Sequence, residues 1–270
     1  MSKKPRTLVE WTWDVLVEVK VQGEWEDAGE IGANRGLGLA TAKELLLTTN
    51  FHIIVGSRHP SNGNEAIQGL RSLTGIQGTV SAVTLDVTSG PSIEAARSQI
   101  ELTFGRLDIL VHNAGVYLLP TESSASHVRA KILESTLEAN VSGPARVTEA
   151  FLPLLLGPQS QRNELVHGLT EPQCEPQFPT QWNTHAIEYR ISKAALHMLL
   201  VEYHMALTGV VVVGVDPGFC ATDIIGDAEA LRQMGAAEPD NGARIIAEVV
   251  KGGKDDQPGR VHSAEGLVPW

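Results

Sequence analysis

Residues 31–38, Ile31-Gly32-Ala33-Asn34-Arg35-Gly36-Leu37-Gly38, decide how this 270-residue chain is to be read. Glycines at 32, 36 and 38 allow a tight turn, and they let backbone N–H groups approach a pyrophosphate at the start of the next helix. In a chain with 26 glycines, that spacing arises by chance in roughly one chain of four. The flanking sequence therefore has to carry the argument. Residues 38–48 read as the helix that follows the glycines, and 51–55 (FHIIV) as a buried strand. Residues 61–73 read as a helix capped by Ser61, and 80–87 as a second strand, with Asp86 at its end. A helix over 92–104 leads to a strand over 107–112, which runs into Asn113-Ala114-Gly115. Residues 127–156 are mostly helical, with a break at Gly143-Pro144. A helix over 189–207, an apolar strand over 210–216, a helix over 241–251 and a last strand near 259–262 complete the pattern.

Strands separated by helices require crossover connections, hence a mainly parallel sheet covered on both faces. The expected fold class is α/β, a doubly wound parallel sheet in one domain. Composition agrees, with 42% apolar and 20% charged residues. Charge is the skewed quantity: 21 Lys+Arg against 32 Asp+Glu leave −11. So acidic a surface repels phosphate backbones and anionic lipid, which argues against nucleic-acid and membrane-surface roles. No stretch reaches the roughly 18 apolar residues of a membrane span. The basic start Met1–Arg6 is followed by Glu10, Asp14, Glu18 and Lys20 rather than an apolar block, so a cytoplasmic protein is expected. Two cysteines, Cys174 and Cys220, support neither a disulfide framework nor a zinc cluster. The nine histidines show no metal-site spacing, and no metal is expected.

Two further features carry chemistry. About twenty residues after the glycines, the strand at 51–55 runs into Gly56-Ser57-Arg58, where a dinucleotide fold meets the adenosine ribose. A carboxylate there would accept from a free 2′-hydroxyl. Arg58, with Arg35 in the glycine loop, would instead pair with a 2′-phosphate, favouring NADP(H) over NAD(H). The second feature is Tyr189-Arg190-Ile191-Ser192-Lys193. Four residues apart, Tyr189 and Lys193 share a helix face. A phenol titrates near 10 when unperturbed, so it needs a neighbouring cation to exchange protons near neutrality.

Together these motifs resemble the short-chain dehydrogenase/reductase superfamily, over roughly residues 31–156 and 186–270. The resemblance rests on Gly32/Gly36/Gly38, Asp86-Val87, Asn113-Ala114-Gly115, Asn140, Tyr189/Lys193, and Asp216-Pro217-Gly218-Phe219 followed by Thr222, all in the family's order. Tyr189–Leu199 and the C-terminal stretch from Gly242 look most like fungal NADPH-dependent carbonyl-reductase-like members. The resemblance implies a Rossmann-type domain over 31–270 that binds NADP(H) and interconverts a carbonyl and an alcohol on a small apolar substrate. It implies Tyr189 as general acid, with Lys193 lowering the phenol's pKa and bonding the nicotinamide ribose. Asn140 would hold a water linking Lys193 to solvent. Asp86 would contact adenine, and Asn113 and Gly115 the middle of the nucleotide. Pro217 and Gly218 would bound the nicotinamide, and Thr222 would bond its carboxamide or a phosphate. Family members also assemble as dimers or tetramers, so a homo-oligomer is expected.

Two departures stand out. The family carries a serine on the strand before the tyrosine helix, and none lies between Ser160 and Ser192. His167 aligns with that position, and Thr170 is the nearest hydroxyl. A catalytically impaired nucleotide-binding relative is the alternative this suggests. Residues 1–30 are the second departure. The family's first strand runs directly into the glycine loop, yet Arg6–Val9 looks like its start and Ile31 like its end. Residues 10–30 then split the strand, as an insertion or a retained intron would. Alternatively residues 13–21, with Val15, Val17, Val19 and Val21 in period two, replace it and residues 22–30 form a long excursion.

Overall fold

The computed structural model describes residues 8–11, 17–19, 27–31, 34–118, 129–156, 187–225 and 228–268. Nine strands and eight α-helices are formed among them. The strands are β1 (Leu8–Trp11), β2 (Val17–Val19), β3 (Asp27–Ile31), β4 (His52–Ser57), β5 (Thr79–Thr84), β6 (Ile109–His112), β7 (Val211–Asp216), β8 (Val261–Ser263) and β9 (Gly266–Leu267). The helices are α1 (Gly36–Thr48), α2 (Pro60–Arg71), α3 (Gly90–Phe104), α4 (Ala130–Leu137), α5 (Gly143–Leu156), α6 (Ile187–Ala206), α7 (Ala228–Gln233) and α8 (Pro239–Val250). Sheet order is β5-β4-β3-β6-β1-β7-β8-β9, parallel from β5 through β8, with β9 antiparallel at the edge. β2 lies off this path, antiparallel to β6.

From β3 the chain winds outward through β4 and β5, then crosses back to β6 on the other side of β3. Because parallel crossovers are right-handed, this reversal sends the two sets of helices to opposite faces. α1 packs on α8 and α2, whereas α3 packs on α5. The central strands are apolar on both faces: Ile53, Ile54, Val55, Ile109, Leu110, Val111, Val212 and Val213 are buried, as a doubly covered parallel sheet demands. β6 ends on His112, itself buried, with Nε2 2.7 Å from Thr148 Oγ1 of α5. Burial holds this imidazole well below its ordinary pKa, so it ties sheet to helix as a neutral ring. No helix of the described residues is long and apolar enough to cross a membrane.

The N-terminal segment differs from expectation. β3, pairing with β4 and β6, occupies the position that leads into the glycine loop. Neither the split strand nor a strand over 13–21 stands there. A strand at that place must end at the loop it presents, and residues 27–31 do so without an excursion. β1 lies instead between β6 and β7, with Val9 registered against both Leu110 and Val212. Residues 157–186 lie outside the described residues, as do Gly32, His167 and Thr170.

Two helix starts also differ. α2 begins at Pro60 with His59 before it and no side-chain cap, because proline's missing N–H suits the first turn. The interruption before α5 falls at residues 138–142, a π turn in which Gly143 N–H donates to Glu138 O. Gly143-Pro144 opens the next helix, where a proline needs no donor.

One glycine joins both halves of the site. A Cβ on Gly242, in the first turn of α8, would stand 2.8 Å from Pro217 Cβ, 2.9 Å from Cys220 Sγ and 3.0 Å from Leu37 Cδ1. Gly242→Ala is therefore expected to cost about 1–3 kcal/mol through overpacking. Chemical denaturation measures this, and an unchanged midpoint would contradict the close packing.

Candidate active site

The strand C-termini bordering the reversal converge on one cavity of about 350 Å³, where open α/β sheets place their ligands. Its lining begins at Asn34, Arg35 and Gly36. It passes Ser57, Arg58, Asp86 and Thr88, and continues along Asn113–Val116 to Thr222. Of the residues singled out from sequence, Arg35, Gly36, Arg58, Asp86, Asn113, Gly115 and Thr222 thus line this one cavity. Gly38 is buried within α1, and Pro217 and Gly218 stand just outside the lining.

Local geometry explains several of these types. Gly36 opens α1 at φ +57°, where a side chain would be strained. Arg35 precedes it in extended backbone and carries no acceptor, so its side chain does not cap the helix's first amides. Asp86 Oδ1 accepts from Thr88 N at 2.9 Å and Thr88 Oγ1 at 2.7 Å. Burial alone would raise the Asp86 carboxyl. The Thr88 bonds and the charges of Arg58 and His59 outweigh it and hold the group below the ordinary range. Gly218 (φ +78°) follows Pro217 in a turn closed by its N–H donating to Asp216 Oδ1 at 2.9 Å.

Tyr189, the acid expected from sequence, and Lys193 belong to α6. Tyr189 and Lys193 lie one turn apart on α6, with Lys193 Nζ 5.2 Å from the Tyr189 ring centroid. Lys193 is 1% exposed. Asn140, in the π turn, links the two parts. Its Oδ1 accepts from Val116 N at 2.8 Å, while Nδ2 donates to Val116 O and Ser192 Oγ, both at 3.0 Å. Ser192 Oγ in turn donates to Tyr189 O at 2.7 Å. One buried amide therefore registers the loop after β6 against the tyrosine helix. His197, a turn beyond Lys193, is pushed down to about 4 by burial and by the Lys193 charge, so it is neutral at pH 7.

Two features escaped sequence reading. Arg129, just before α4, grips Glu188 with Nε to Oε1 and Nη2 to Oε2, both 3.0 Å, and its backbone N–H reaches Oε1 at 2.8 Å. Glu188 adjoins Tyr189, and its side chain is 3% exposed. The Arg129 bonds hold its carboxyl down at about 2. Tyr117 packs its ring on Tyr189, centroids 5.2 Å apart and planes tilted 53°. The 59-residue separation of the ion pair leaves no periodic signal. Tyr117's place two residues after Gly115 was the available hint.

Residues 30–232 match the family model for short chain dehydrogenases. The chain belongs to the short-chain dehydrogenase family. It is 33% identical over 265 residues to the short-chain dehydrogenase/reductase eupG of Phoma sp., covering 88% of this chain and 95% of that one. It is 30% identical over 258 residues to tropE of Talaromyces stipitatus, covering 88% and 94%. Among solved structures it is similar to a 3-oxoacyl-[acyl-carrier protein] reductase from Brucella melitensis in complex with NAD. That pair is 19% identical with a TM-score of 0.67, over 98% of this chain and 96% of the other. NADPH-bound carbonyl reductase from chicken fatty liver is also 19% identical, with a TM-score of 0.64 over the whole of both chains. The fold is thus the doubly wound, Rossmann-type sheet of short-chain dehydrogenases, and the chain is an oxidoreductase of that family.

Proposed function

We propose that this short-chain dehydrogenase uses NADP(H) to interconvert a carbonyl and an alcohol on a small apolar substrate. The observation that carries the reading is that Arg35 and Arg58 line one cavity at the end of β4, while Val116 of the same lining is tied through Asn140 and Ser192 to the helix that bears Tyr189 and Lys193. The cavity fits a dinucleotide on its own chemistry. Among the described residues Thr222 Oγ1 is buried with no hydrogen-bond partner, a state that a ligand acceptor or donor would relieve. The uncapped start of α1 suits a pyrophosphate. Arg35 and Arg58 would hold the 2′-phosphate, Asp86 the adenine, Asn113 and Gly115 the middle of the nucleotide, and Pro217, Gly218 and Thr222 the nicotinamide end.

When bound, the nicotinamide supplies or removes hydride at the carbonyl carbon. The chain's own contribution is the proton. As the carbonyl oxygen gains charge, Tyr189 gives it the phenolic proton. Lys193, beside the ring, favours the phenolate left behind. Asn140 would hold a water that joins Lys193 to solvent. In the reverse direction the same groups take a proton from an alcohol.

A second reading, nucleotide binding without turnover, draws on the missing serine, since none lies between Ser160 and Ser192. Calorimetric titration with NADPH and NADH, followed by NADPH oxidation with a generic diketone, separates the two. Binding without oxidation favours the second reading, and no binding overturns both. Arg58→Ala is expected to weaken NADPH about 30-fold, a loss of about 2 kcal/mol, and NADH less than threefold. Equal losses for both would contradict the 2′-phosphate assignment.

A further inference from the structure

Tyr117 has no part in the reading above, yet its ring packs against that of the proposed acid. Its position is fixed from both sides. Val116, immediately before it, is held at N–H and C=O by the Asn140 amide. Tyr189, on which its ring rests, is held through Ser192 to the same amide and through Glu188 to Arg129. The phenol of Tyr117 also lies within electrostatic reach of the Arg129 guanidinium. An aromatic ring placed this firmly is a wall rather than a loose surface residue. Two more large apolar side chains are exposed where β6 and β7 run out on the same edge of the sheet, Leu118 at 41% and Phe219 at 53%. β6 and β7 are separated by β1 alone, about 10 Å from strand to strand.

We propose that Tyr117 is a specificity-determining residue, forming a flat wall against which a planar carbonyl compound, an aryl or conjugated ketone, lies beside Tyr189. The inference rests on Tyr189 being the proton donor. A carbonyl oxygen protonated by Tyr189 sits within about 3 Å of its hydroxyl. With the two rings in contact, the group bearing that carbonyl adjoins Tyr117. A planar π-system gains from stacking on such a face what a puckered ring of equal size cannot.

Acetophenone and cyclohexyl methyl ketone test this, since they share a methyl ketone and a six-membered ring and differ in planarity. Their affinities for the NADP(H)-saturated protein are measured by calorimetry, which needs no turnover. The wild-type protein is expected to bind acetophenone about tenfold more tightly, within the range of aromatic pair energies. Tyr117→Phe keeps that ratio within twofold, while Tyr117→Leu brings it close to one, with NADPH affinity unchanged in both. A purely structural role would weaken both ketones together and leave the ratio intact, which overturns the proposal. So would a wild-type ratio near one, or no binding of either ketone. Planarity-selective binding without NADPH oxidation would count against the reductase reading alone and leave Tyr117's role standing.

Discussion

Tyr189→Phe is expected to lower kcat/KM for carbonyl reduction about a thousandfold, within the range for loss of a positioned general acid, while NADPH affinity changes less than twofold. The substitution removes one oxygen and keeps the ring. Two contacts on that ring, Tyr117 with centroids 5.2 Å apart and Lys193 Nζ at 5.2 Å, do not need the hydroxyl. The helix register is set by Asn140 and Ser192, also untouched. A large kinetic loss with intact nucleotide binding therefore isolates proton transfer. Steady-state kinetics beside calorimetry gives both numbers, and activity within tenfold of wild type would sink the assignment.

Glu188→Gln carries the largest expected effect on stability, about 2–3 kcal/mol in chemical denaturation. Arg129 makes three bonds to this carboxylate, and its guanidinium would lose a charged partner in a site where both side chains are largely buried. The pH dependence has a definite sign. The Glu188 carboxyl titrates at about 2 in the folded protein, against an ordinary value of 4.5. Its contribution is present above pH 4.5 and lost as pH falls towards 2. The variant should consequently show a flatter stability profile over that window. A parallel profile, shifted by less than 0.5 kcal/mol, would show the pair to be unimportant. Because Glu188 precedes Tyr189, a fall in kcat at constant NADPH affinity should accompany the loss.

The residues most easily read were those whose chemistry is local in the chain. Gly32, Gly36 and Gly38 announce a backbone turn. Tyr189 and Lys193 announce a shared helix face through their spacing. Asn113-Ala114-Gly115 stands directly after an unmistakable apolar strand. Each signal depends on neighbours within a few residues, so period and propensity carry it. The N-terminal strands were misread for the converse reason. Val15 to Val21 alternate as a strand should, but alternation does not say which sheet neighbours a strand will have. In the structure Asp27–Ile31, a far less apolar segment, holds the place before the glycine loop between β4 and β6. Leu8–Trp11 lies between β6 and β7.

By itself, then, the sequence determined the class of fold, the glycine turn that opens α1 and the spacing that sets Tyr189 and Lys193 one helical turn apart, because helix and strand periods and short motifs are written in consecutive residues. Only the tertiary structure decided which strand fills which slot. It also decided that Arg35 and Arg58 share one cavity, that Asn140 ties Val116 to Ser192, and that Tyr117 and Arg129 brace Tyr189 and Glu188. Those relations join residues tens of positions apart. They exist only once the sheet has brought its strand ends to one edge, and no local pattern in the chain encodes them.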